Sequence, residues 1–210
     1  MWWAGAQQAG FGLIQVRESR RLAGGAHPLD LDARPRHVTS IVRVPGDLAG
    51  VLTDVVRGLE GVEGHYVYPS SDLHLTVLNL DAARAPVADR VRAAGGALAR
   101  TPGFGVVLAG LGVSRSSVYA RAYDTTGALW RLRGRLATAT GCRPPLPFRL
   151  LGFVNLVRFA RPDVGDLASG LAGVRQLPLG LLDVTAVQIV CTDKVLSAAE
   201  TVVLETIPLT

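Results

Sequence analysis

Lysine is nearly missing from this sequence: of 22 basic residues only Lys194 is a lysine, and the rest are arginine. The arginine fork binds phosphate and carboxylate through paired hydrogen bonds, so a formal net charge of +5 carried this way suits a phosphate-bearing partner. A GC-rich genome, which enriches Arg, Ala, Gly and Val codons, explains the bias equally well. Cysteine is scarce too. Cys142 and Cys191 do not have metal-ligand spacing; they suit a reducing cytoplasm and leave a disulfide open. Charged residues are only 19% of the chain against 49% apolar, which excludes wholesale disorder and supplies a substantial core. No apolar run is long enough to span a bilayer. The opening MWWAGAQQAGFGLIQ lacks the basic leader of a signal peptide and reads instead as a short amphipathic helix packed on the domain or a partner. There is no P-loop and no HExxH, and GFGVVLAGLG places Leu108 where a dinucleotide fingerprint needs its third glycine.

What is present is a regular alternation of strand and helix patterns. At 210 residues the chain fits one large domain or a domain of two similar lobes. Residues 1–35 read as an N-terminal extension, with RESRRLAGGAHPLDLDARPR as charged, Gly- and Pro-punctuated linker. Residues 36–210 form the body. RHVTSIVRVP is a strand ending at proline, and GDLAGVLTDVVRGLEG spaces Leu48, Leu52, Val55 and Leu59 as a helix. HYVYP and DLHLTVLNL are strands, and APVADRVRAAGGALARTPG is a second helix. FGVVLAGLGV with SSVYARAYD reads as a hairpin, TTGALWRLRGRLATATG as a third helix and FRLLGFVNLVRFA as a strand. DVGDLASGLAGV is a short helix; LPLGLLDVTAVQIVCTD and ETVVLETIPL are two closing strands. The expected fold class is α+β, two similar lobes of antiparallel sheet with helices packed outside, facing a central cleft.

Within DLHLTVLNL, His74 and Thr76 lie two apart, so on an extended strand both side chains project from one face. HLTV in this strand and helix order resembles the first of two His-x-Thr/Ser-x motifs of the 2H phosphoesterase superfamily. That superfamily includes the 2'-5' RNA ligase-like proteins and the 2',3'-cyclic phosphodiesterases. The resemblance spans about residues 36 to 208 and implies two motifs facing each other across a cleft. The second motif departs from the family pattern. FVNLVRFA puts Phe153 where the second histidine belongs and Asn155 where the threonine belongs.

Opening a cyclic phosphate needs a base for water and an acid for the leaving oxygen, and two imidazoles near neutrality divide that work. Phe153 can do neither, whereas Asn155 keeps N–H donors for a phosphate oxygen. Two readings follow. One is a divergent phosphodiesterase acting on nucleotides or RNA ends with cyclic or 2'-linked phosphates. In it His74 and Thr76 are catalytic, and Phe153, Asn155, Tyr66 and Arg149 contact substrate. His37, His65, Tyr66 and Tyr68 are candidates for the missing partner. The other is a module that binds such ends without turnover, with Phe153 stacking on a base or merely filling the vacated site. The resemblance implies no metal and no cofactor. Alternation assigns Arg158 to the face opposite Phe153 and Asn155, as a structural ion pair. Arg131, Arg133 and Arg135 form a basic helix segment, either solvated or touching an RNA backbone.

Overall fold

A computed structural model describes residues 2–22, 24–30, 36–81, 83–142 and 150–210. Nine strands form one sheet in the order β7-β4-β5-β6-β3-β1-β8-β9, with β2 added beside β6, and every pairing is antiparallel. The strands are β1 (His37–Arg43), β2 (Tyr66–Val67), β3 (His74–Asn79), β4 (Phe104–Val113), β5 (Ser117–Tyr123), β6 (Gly152–Arg158), β7 (Pro178–Val184), β8 (Ala186–Thr192) and β9 (Val202–Pro208). The helices are α1 (Trp2–Leu22), α2 (Gly46–Arg57), α3 (Val87–Leu98), α4 (Ala128–Thr140) and the short α5 (Gly165–Gly170). No helix among the described residues is long and apolar enough to cross a membrane.

The sheet is two four-stranded lobes held by a narrow seam. Between β3 and β6 the only paired residues are Leu75 and Val154, both wholly buried. The lobes do not divide the chain at its middle. Strands β4 to β7 make one lobe, while β1 and β3 are joined by the C-terminal β8 and β9 in the other. The helices cross over as well: α2 packs behind β6 and β7, and α3 and α4 pack behind β9 and β3. The run expected as one strand over LPLGLLDVTAVQIVCTD is two. It pairs with β4 through Val184, then with β1 from Gln188 onward, so a continuous apolar stretch serves both lobes in turn.

The local signals are physical. Pro45 and Pro86 precede α2 and α3, where a missing N–H costs nothing. Leu48, Leu52 and Val56 bury one stripe of α2. Gly110 has φ +69°, and a Cβ there would lie 2.0 Å from the Arg175 carbonyl oxygen, so only glycine fits this bulge of β4. Helix α4 starts against Asp124, whose buried carboxylate accepts the N–H groups of Ala128 at 2.9 Å and Trp130 at 3.2 Å.

Two expectations change here. Helix α1 does not stop before RESRRL but continues through it to Leu22; Glu18 accepts from Arg21 one turn on at 2.9 Å and from the Arg115 backbone N–H at 2.9 Å, which holds the charged segment helical. The three arginines of α4 are not a basic stripe. Arg131 donates to the Thr126 carbonyl and Arg135 to Thr101 Oγ1. Arg133 is buried and donates to the carbonyls of Val77 (2.8 Å), Thr76 (3.0 Å) and Leu151 (2.8 Å). It therefore stitches β3 to the start of β6 where strand pairing is reduced to one residue pair. Its burial pushes its pKa down to about 10, still charged at neutral pH.

Arg133→Met keeps the stem and strands three carbonyls. The expected loss is about 3 kcal/mol or more, which for a domain of this size lowers the melting midpoint by roughly 6–12 °C. Thermal unfolding followed by circular dichroism measures it. A midpoint within about 2 °C of the parent would show that the seam does not depend on this residue.

Candidate active site

On the face away from α2, α3 and α4, the seam brings the two motif strands side by side. Continuing the antiparallel register one step each way from Leu75 and Val154 sets His74 against Asn155 and Thr76 against Phe153. All four residues named from the sequence are thus on one surface.

His74 is 2% exposed. Its Nδ1 lies 2.7 Å from the Asp72 carbonyl oxygen, which can only accept, so the proton sits on Nδ1 and Nε2 keeps its lone pair. Burial lowers its pKa to about 4, opposed by that hydrogen bond and assisted by the positive charges of Arg43 and Arg158. The imidazole is therefore neutral at physiological pH. Arg43 pairs with His74 across β1 and β3 and is steadied by Gln188 Oε1 and the Ser71 carbonyl, both at 3.4 Å. Thr76 is half-buried on the same face.

Arg158 belongs to this surface, contrary to simple alternation. Opposite β5 the register steps from Tyr119–Asn155 to Val118–Val157, leaving Leu156 as the extra residue of a β-bulge. The bulge returns Arg158 to the face of Phe153 and Asn155. There it pairs with Ser117 on one side and Tyr66 on the other, and reaches Tyr68 Oη and Ser116 Oγ, each at 3.4 Å. It is not in an ion pair with an acidic side chain among the described residues. Tyr68 lies edge-on to His74 at 5.9 Å and to Tyr66 at 5.2 Å, so arginine, tyrosine and histidine form one contiguous row. Burial, with Asp72 close by, raises the Tyr66 pKa to about 12, and burial raises that of Tyr68 also. Both phenols stay protonated.

Asn155 is 5% exposed, and its Oδ1 is buried with no hydrogen-bond partner. Phe153 leans on Tyr119 at 5.5 Å and packs with Phe11, Ile14 and Leu151 beneath helix α1. Arg149 lies outside the described residues. Two candidates for the missing partner are elsewhere. His37 is six residues from Arg43 along β1, roughly 20 Å at ~3.3 Å per residue. His65 Nδ1 accepts from the Ala160 N–H at 3.2 Å while its ring packs on Phe159, a structural role in the loop after β6. No set of three or more His, Cys, Asp and Glu side chains among the described residues is arranged to hold a metal ion. Tyr68 and Tyr66 do stand at the site. Arg43 is the residue that sequence reasoning missed, although its place at the end of a neighbouring strand was a signal. Arg158 was assigned to the wrong face, because a bulge leaves no mark in the alternation.

By sequence, no family model and no curated protein matches this chain. By structure, it is similar to E. coli LigT complexed with ATP (TM-score 0.58, 17% identity, covering 84% of this chain and 99% of LigT). It is also similar to the protein TT0787 of Thermus thermophilus (TM-score 0.60, 22% identity, 82% and 97%). A third structure, described as a phosphoesterase, gives TM-score 0.59 at 18% identity, with 84% and 99% covered. Almost all of each neighbour is matched, and the part of this chain left over is the size of the segment before β1. The chain therefore has the fold that LigT and these two other proteins share, here built as a two-lobed α+β sheet.

Proposed function

We propose that the cleft binds nucleotides or RNA ends bearing a cyclic or 2'-linked phosphate and hydrolyses the phosphodiester with a single motif histidine. The observation that carries this reading is the convergence of neutral His74 with Arg43 and Arg158 on one face of the seam. That LigT has been seen with ATP, NADP+ and 3'-AMP supports the same ligand class.

In this reading His74 Nε2 takes a proton from water as the oxygen attacks phosphorus. The two guanidinium groups balance the charge that gathers on the nonbridging oxygens, and the Thr76 hydroxyl donates beside them. The bond from phosphorus to the ring-opened sugar oxygen breaks, and that oxygen must be protonated. Phe153 cannot do so; the Tyr68 phenol, between His74 and Arg158, is a protonated group at the site, and solvent is the alternative source. Turnover is accordingly slow.

The pH dependence follows. Activity needs His74 neutral, and its pKa is lowered, so activity is retained as pH falls and lost only on protonation. With 2',3'-cyclic AMP, kcat/KM should stay level from about pH 8 to about pH 5 and fall toward a midpoint of about 4. The same shift makes the folded state lose stability as pH falls from 6.5 toward 4, because the unfolded chain takes up the proton first. The test is to incubate the protein with the four 2',3'-cyclic nucleotides and an RNA with a cyclic phosphate end, separate the products, and repeat across pH. A profile falling through about 6.5 would point to an ordinary exposed histidine instead.

A second reading is favoured by Phe153, whose ring is packed against Tyr119 and under α1. A protein that binds these ends without turnover would show affinity by calorimetry and no product at any pH.

A further inference from the structure

Helix α1 gives the cleft a wall that the strands themselves do not supply. It is clamped over β5 and β6 at three levels. Gln7 donates to the Leu150 carbonyl at 3.1 Å, Gln15 accepts from Arg121 at 2.6 Å, and Glu18 accepts from the Arg115 N–H at 2.9 Å. Phe11, 2% exposed, sits edge-on to Tyr123 at 5.2 Å with the Arg121 guanidinium 5.8 Å above its ring. The helix nevertheless does not seat fully on the sheet. A cavity of about 370 Å³ remains between them.

The lining of this cavity is two-sided. Phe11 and Ile14 from the helix face Tyr119 and Phe153 from the sheet, an apolar slot with aromatic walls. The rim carries Arg17, Arg21, Arg115 and Arg158, with the hairpin serines Ser114, Ser116 and Ser117 beside them. Glu18 is the one acid in the lining, and its carboxylate is already engaged by Arg21 and the Arg115 N–H. Asn155 borders the cavity with Oδ1 buried and unpartnered, a state that is costly unless a ligand donates to it. Arg158 belongs to this rim and also reaches Tyr68, whose ring lies against His74, so one guanidinium links the cavity to the proposed reaction centre.

We infer that this cavity is a mononucleotide site that α1 creates. The base enters the slot against Phe153 with an exocyclic N–H toward Asn155 Oδ1, and the phosphate lies on Arg158 facing His74. This rests on the proposed phosphodiester chemistry and adds to it the substrate class. The volume is at the small end of ligand pockets, roughly 300–1,000 Å³, which is room for one nucleotide. The chain is selective for single nucleotides over RNA strands.

Calorimetry on the full chain with 3'-AMP, inorganic phosphate and a ten-nucleotide RNA ending in a cyclic phosphate tests it. The parent should bind 3'-AMP more tightly than phosphate and gain nothing from the longer RNA. Ile14→Trp fills the slot from a half-buried helix position; it should weaken 3'-AMP binding by about tenfold or more and leave phosphate binding unchanged. Arg17→Glu changes an exposed helix residue outside the Glu18–Arg21 pair and should weaken 3'-AMP comparably, which covers the case of Ile14→Trp folding poorly. If the parent hydrolyses cyclic nucleotides but both variants bind 3'-AMP normally, this inference falls and the phosphodiesterase reading stands. If 3'-AMP binding responds to the variants with no turnover, the site stands and the enzyme reading falls. RNA binding tighter than 3'-AMP, or no binding of any ligand, overturns the mononucleotide site.

Discussion

His74→Ala should lower turnover of a 2',3'-cyclic nucleotide by about 10²–10⁴-fold while changing KM little. The asymmetry comes from the division of labour at the seam. In the proposed reaction Arg43, Arg158 and Thr76 hold the phosphate in substrate and transition state alike, and the variant leaves them in place. Nε2 of His74 matters only when water loses its proton. The tautomer needed for that is fixed by the Asp72 carbonyl at 2.7 Å, so the base is oriented before substrate arrives. His74→Asn serves as the companion: it restores hydrogen bonding to Asp72 without a group basic enough to take the proton, and should be as inactive as alanine. Melting midpoints of both variants separate loss of chemistry from loss of fold, since the residue is buried against Tyr68. A rate unchanged in folded His74→Ala would remove His74 from the reaction.

The same alternation rule that made this site readable also misplaced one of its members. The two-residue period correctly put His74 and Thr76 on one face and Phe153 and Asn155 on one face, because β3 is regular from His74 to Thr76 and β6 from Phe153 to Asn155. It failed three residues further on, where Leu156 bulges and carries Arg158 back to the cleft. A bulge is a property of the paired strand's register, and one strand's sequence does not contain it. Burial of Arg133 escaped notice for a related reason. A helical wheel shows an arginine beside Leu129, Leu132 and Leu136, but only the tertiary seam supplies the carbonyls that make a buried guanidinium stable. Helix and strand positions were legible wherever a proline, a glycine or an apolar stripe marked them. The assignment of strands to lobes was not, since β8 reaches back across the chain to β1 through pairings of very long sequence separation and carries β9 with it.

Phe153→His combined with Asn155→Thr should raise turnover by about 10²-fold or more, by supplying the general acid that the parent lacks. The register sets residue 153 against Thr76 and residue 155 against His74, so the new pair would mirror the old one across the seam. The aromatic ring at 153 is replaced by a smaller one in a half-buried position, where it loses part of its contact with Tyr119 and Ile14 at a cost of about 1–2 kcal/mol. Threonine at 155 offsets some of this, because it removes an amide oxygen that has no partner in the parent. The double variant should therefore fold, and its melting midpoint and initial rates are the measurements to make together. A folded variant with no gain would mean that α1 fixes residue 153 for holding a base and not for moving a proton. Ile14→Ala added to the double variant then distinguishes the two: relieving the helix contact should release the gain if packing alone withholds it, and should do nothing if the cleft has been rebuilt for binding.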